Sequence, residues 1–146
     1  MVKSKALLFL ALAAIIISGC TSGYSGQKPA KEAAEVAQKA ELRTVSTGST
    51  QTGDVLIELT PKYIGSNKLA VDFSANTHSV DLTPFDLMMI TALEHNGNVL
   101  KPESAPSLSG HHGSGTLVFD TGKELKTFKI TIKGIPAVEE RVFEWG

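Results

Sequence analysis

Residues 54–146 are predicted to fold as an all-β, immunoglobulin-like antiparallel β-sandwich of about seven strands, on three observations. Apolar side chains recur with a period of two, which puts alternate residues on one face of a strand. Gly, Pro and Asn interrupt these runs where turns are needed. The runs also follow one another at the regular spacing that two packed sheets require.

Val55, Ile57 and Leu59 alternate with Leu56, Glu58 and Thr60, which marks a first half-buried strand. Leu69, Val71, Phe73 and Ala75 alternate with Ala70, Asp72, Ser74 and Asn76 in a second, with Pro61 and Gly65-Ser66-Asn67 expected in the turn between them. Leu87-Met88-Met89-Ile90-Thr91-Ala92-Leu93 is apolar on both faces and reads as a central strand, although its length also suits a buried helical segment. Asn96-Gly97 predicts a type I′ hairpin because both residues tolerate positive φ, and Val99-Leu100 returns from it. Thr116–Phe119, Phe128–Lys133 and Arg141–Trp145 complete the seven. Phe143 and Trp145 share one face of the last strand and are expected in the core. Met88 and Met89, as strand neighbours, would point to opposite faces, so both are assigned to packing and not to one soft-metal site.

Residues 20–53 have another character, dominated by Ser, Thr, Gly, Gln, Lys and Ala. That is a linker composition, and the expectation is a flexible tether from residue 20 to residue 53. Within it, residues 31–43 hold good helix formers with Lys31/Glu35 and Glu35/Lys39 pairs four apart. An isolated helix of that length is marginal in water, and Val36, Ala40 and Leu42 make only a thin apolar stripe.

At the start of the chain, Lys3 and Lys5 precede the apolar run Ala6 to Ile17. As a helix at about 1.5 Å per residue this run reaches roughly 18 Å, well short of a bilayer's hydrocarbon core. It therefore reads as a cleaved export signal covering residues 1–19. The run ends in Ile17-Ser18-Gly19-Cys20, with the only cysteine of the 146 residues. This tetrad resembles the lipobox of prokaryotic lipoproteins, an aliphatic residue and two small residues before a lipidated cysteine. The resemblance implies acyl chains such as palmitate on Cys20 and a lipid-anchored position on the extracytoplasmic face of the cell membrane. One cysteine cannot form an internal disulfide, and lipidation would consume a thiol that is otherwise free to react outside the cell.

Removing residues 1–19 leaves 127 residues, with 12 Lys+Arg against 15 Asp+Glu and a net charge of about -3. Acidic and basic residues are interspersed, which argues against a nucleic-acid partner. The chain is long enough for one domain with an adequate core and too short for two ordinary ones. Its sequence contains no Gly-x-Ser-x-Gly elbow, no Gly-rich phosphate loop before a helix and no His-Glu-x-x-His pair, so a non-enzymatic role is expected.

The candidate binding residues are histidines in loops. His95 adjoins the Asn96-Gly97 turn, where a polar side chain needs no special explanation. His111 and His112 lie in Ser107-Leu108-Ser109-Gly110-His111-His112-Gly113-Ser114-Gly115, whose glycines free the backbone from strand geometry. His78 precedes Asp81 by three residues. If these two loops meet at one end of the sandwich, His78, Asp81, His111 and His112 would suit copper or zinc, since imidazole is a borderline donor and the carboxylate offsets metal charge. The competing reading is that these histidines fix loop shape or contact an envelope protein partner.

Thr77–Leu82, Gly110–Phe119 and Glu140–Trp145 together resemble uncharacterised exported prokaryotic domains, a likeness that implies a small β-sandwich and no particular activity. The plan is also similar to that of periplasmic copper carriers of the CopC type. Their initial histidine and Met-rich segment have no counterpart in this chain.

Overall fold

In the computed structural model of the chain the described residues are 42–65 and 67–146. Among the described residues eight strands form two antiparallel sheets, with one helical turn between the third and fourth strands. The first sheet runs β1 (Val45–Thr47), β2 (Leu56–Ile64), β3 (Lys68–Asn76), β6 (His112–Asp120). The second runs β5 (Asn98–Leu100), β4 (Thr91–His95), β7 (Phe128–Lys133), β8 (Glu140–Trp145). The chain crosses between the sheets after β3, β5 and β6, as in the immunoglobulin plan.

The two-residue period decides what is buried. On β2 and β3, Ile57, Leu59, Leu69 and Val71 are fully buried against Ile130, Ile132 and Phe143 of the second sheet, within one continuous core. Each such side chain contributes about 1.5–3 kcal/mol on leaving water. Phe128 and Trp145 stack at 5.1 Å, and the Trp145 indole N–H donates to the Arg43 carbonyl oxygen at 2.7 Å, fastening the start of the domain to its last strand. Asn96 (φ 46°) and Gly97 (φ 79°) form the expected hairpin turn.

Four expectations need correction. Val45–Thr47, expected in the tether, pair with Leu59–Ile57 as an eighth strand, because Val45 and Thr47 offer a β-branched edge on the inward face. Pro61 is not in a turn but within β2, opposite Val71. It is tolerated because β1 ends at the level of Leu59, so β2 is an edge there and a missing N–H breaks no ladder. Leu87–Ile90 is a helical turn, α1, capped by Asp86, whose carboxylate accepts from the Met88 N–H at 2.9 Å. Only Thr91–His95 continues as strand. Leu87 faces the core, whereas Met89 is 71 % exposed and takes no part in packing.

The fourth correction concerns the Gly-rich segment, where β6 begins at His112 and keeps regular register with β3 through Gly113 and Gly115. Both glycines face the sandwich interior, and Leu108 and Pro106 occupy the room their side chains would take. A Cβ on Gly115 would lie 2.5 Å from Pro106 Cβ. Gly115→Ala should therefore destabilise the domain by about 1–3 kcal/mol through overpacking against a rigid ring. Gly113→Ala meets only the end of the Leu108 side chain and should cost less, which urea denaturation of the two variants will show.

Candidate functional site

Strand direction sorts the loops into two ends. Arg43, the Asn96-Gly97 turn and Trp145 lie at one end, while the segments carrying His78, Asp81, His111 and His112 lie at the other. Nine-residue β2 and β3 span the distance between them, about 30 Å.

At the histidine end the two loops do meet. The Thr77 N–H donates to the His111 carbonyl at 3.1 Å and the Leu82 N–H to the Gly110 carbonyl at 2.7 Å. Thr77 is buried, donates its hydroxyl to the Asp54 carbonyl at 2.7 Å and accepts from the Ser79 and Val80 N–H groups. Ser79 in turn accepts from the Gly53 N–H at 2.7 Å. Short polar side chains thus satisfy the backbone groups of Gly53, Asp54, Ser79 and Val80.

The four candidate ligands are near in sequence and loop, but not arranged as donors. Among the described residues no group of three or more His, Cys, Asp or Glu is placed to hold a metal. His111 Nδ1 lies 2.9 Å from the Val80 carbonyl, which can only accept, so that nitrogen carries the proton. His112 Nδ1 is 3.1 Å from Asn76 Oδ1, and its ring sits on β6. Asp81 Oδ1 accepts from the Thr83 hydroxyl at 2.6 Å and the Thr83 N–H at 3.0 Å. Those two bonds hold its carboxyl below the usual carboxylate range, with a smaller contribution from His111. His78 is exposed on its own turn. Among the described residues His78, Asp81, His111 and His112, the set expected for copper or zinc, are not brought together as a metal-binding group: Asp81 bonds Thr83 in its own segment, His111 bonds Val80 and His112 bonds Asn76.

One functional-looking group escaped the sequence reading. Arg141 is fully buried on β8, 3.0 Å from Asp54 Oδ1 and 2.8 Å from the Pro136 carbonyl. It alternates inward with Phe143 and Trp145, so a charge at a core position in Arg141–Trp145 was the available signal. Through Asp54 and Thr77 it ties β8 to the histidine loops. An inward charge on an edge strand also opposes pairing with another chain.

A cavity of about 560 Å³ is at the opposite end between Arg43, His95, Lys129 and Glu144. Trp145 forms part of its floor but is only 3 % exposed, so it gives a ligand no ring to stack on. Among the described residues no helix is long and apolar enough to cross a membrane. Comparison with known proteins finds no family model, no curated sequence and no solved structure that matches this chain.

Proposed function

We propose that the protein is an exported lipoprotein, anchored through acyl chains on Cys20 to the extracytoplasmic face of the cell membrane, whose β-sandwich is a non-enzymatic module that docks an envelope protein. Cys20 and the export signal lie outside the described residues, and the tetrad Ile17-Ser18-Gly19-Cys20 is what supports the anchor. Docking is supported by one observation: the chain joins the sandwich near Arg43, at the end remote from the interlocked loops of His78 and His111. The first described residues and those loops therefore lie at opposite ends of the sandwich. Rigid loops lose little entropy on binding. The protein-docking reading is preferred to a metal-delivery one because no three of His78, Asp81, His111 and His112 stand together as a metal-binding group among the described residues.

Two measurements test this. Cells grown with labelled palmitate should label the wild-type protein and not Cys20→Ala, which should leave the membrane fraction or remain unprocessed. A photoreactive side chain at position 78 should cross-link a single envelope protein with EDTA present, and one at position 129 should not. Cross-linking that disappears with the chelator would favour the metal reading.

A further inference from the structure

The outer faces of the two sheets differ in kind. On the second sheet the outward positions include Glu94, Lys129, Lys133, Glu140 and Glu144, with Glu94–Lys129 and Lys133–Glu140 ion pairs at 3.1 Å. That is the ordinary solvated face of a sandwich. On the first sheet the register aligns Ser46, Glu58, Ser74 and Ser114 in one outward row. The next row aligns Thr60, Asp72 and Thr116, with Thr44 bonded to Thr60 through their hydroxyls at 2.7 Å. Eight adjacent outward positions thus carry six hydroxyls and two carboxylates. Glu58 is the one long side chain within these two rows, and Lys62 stands at their margin, where its Nζ meets both Asp72 oxygens at 2.8 Å.

Apart from Glu58 the side chains of these rows are short, and fixing serine and threonine costs little rotamer entropy compared with lysine or glutamate. Ser74 donates to Glu58 at 3.2 Å and Thr116 to Asp72 at 3.2 Å, so the groups are already oriented. A depression of about 300 Å³ lies in the middle, lined by Thr44, Glu58, Thr60, Asp72, Phe73 and Ser74. That is the lower end of the range for small-molecule sites.

We infer that this face of the first sheet binds a neutral polyhydroxylated chain, a hexose polymer lying flat across β1, β2, β3 and β6. Each ionised carboxylate can accept from two neighbouring sugar hydroxyls, while the serine and threonine hydroxyls can donate or accept. With Glu58 and Asp72 set against Lys62, the patch has a slight negative charge, which disfavours an anionic polymer. The Phe73 ring is turned into the core and is 2 % exposed, so affinity per sugar is low and accumulates along a polymer. The inference rests on sheet register and depends on neither the lipid anchor nor the loop histidines.

Retention of the full-length protein in non-ionic detergent on cellulose and on chitin beads, with EDTA present, provides the test. Cellulose presents hydroxyls alone and chitin adds acetamido groups. Retention on cellulose or on both means that hydroxyls suffice, and retention on chitin alone means that the acetamido group contributes. Wild type should be retained, and Thr60→Val combined with Thr116→Val should weaken retention at least about tenfold, or about 1.4 kcal/mol. Valine keeps the shape and strand preference of threonine, so this variant should fold. Ser74→Ala with Ser114→Ala provides a second variant if circular dichroism shows the first to be unfolded. Lys133→Gln on the other sheet should bind as wild type. Failure of wild type to bind either polymer, equal binding by the hydroxyl-deleted variant, or binding only when calcium replaces EDTA would each overturn the inference.

Discussion

Gly48→Ala should destabilise the domain by about 2–5 kcal/mol, a large part of the usual 5–15 kcal/mol of a folded domain. Gly48 has φ +77°, where a Cβ costs about 1–2 kcal/mol by itself. The added carbon would also overlap the Val55 carbonyl oxygen and the Arg141 guanidinium, and overpacking of this kind costs a further 1–3 kcal/mol or so. Neither neighbour can yield, since Val55 leads into β2 and Arg141 is enclosed. Gly122 provides the control, with φ +66° and nothing within 4 Å of the place a Cβ would take. Denaturant midpoints should show Gly122→Ala losing only the backbone part; equal losses at the two positions would refute the close approach at Gly48.

Asp54→Ala should cost about 3 kcal/mol, because it leaves the wholly buried Arg141 cation without its anion. The lower end of the range for broken buried pairs applies, since the Asp54 side chain is 19 % exposed. Pro136 and Thr47 still accept from the guanidinium, but carbonyl and hydroxyl oxygens carry no full charge, and Arg141 Nε already lacks a partner. Adding Arg141→Met to Asp54→Ala should restore much of the loss, because the pair is then removed together. A single-variant cost under about 1 kcal/mol would mean that the ion pair does not hold β8 to the loops.

The same pair shapes the acid limb. Burial works to raise the Asp54 pKa, but hydrogen bonds from Arg141, the Val55 N–H and Ser49, with the Arg141 charge, outweigh it and hold the value below the ordinary 3.8. A carboxylate with a depressed folded pKa contributes stability that is present above the unfolded value and is lost as pH falls through the folded one. Wild-type stability should therefore decline below about pH 4, and this decline should be shallower in Asp54→Ala. Urea unfolding at a series of acid pH values measures it.

The architecture was legible where one residue type served one role. In β2, β3, β7 and β8, alternate apolar residues are buried, and Asn96-Gly97 turns where positive φ was required. Reading failed where local and tertiary demands met at one residue. Leu87–Leu93 is apolar throughout, so period could not divide it, and the division came from the Asp86 cap. Pro61 looked like a breaker because the short reach of β1, which makes its place an edge, is a property of another segment. Gly113 and Gly115 looked like loop flexibility but are cut to admit Leu108 and Pro106.

For the site, the sequence left open whether the His78 and His111 loops meet; the pairing of β3 with β6 brings Asn76 beside His112, and Thr77 and His111 are bonded. The use of each imidazole was not, because Val80 and Asn76 are 31 and 36 residues away from their histidines. Arg141 and Asp54, 87 residues apart, pose the same difficulty. The hydroxyl rows of the first sheet became visible only when register placed Thr60, Asp72 and Thr116 side by side.

The most direct measurement is the intact mass of the protein extracted from its own membranes. A chain beginning at Cys20 with the added mass of thioether-linked diacylglycerol is the result expected of a lipid-anchored module. A chain that retains Met1 and carries no fatty-acyl mass would contradict it.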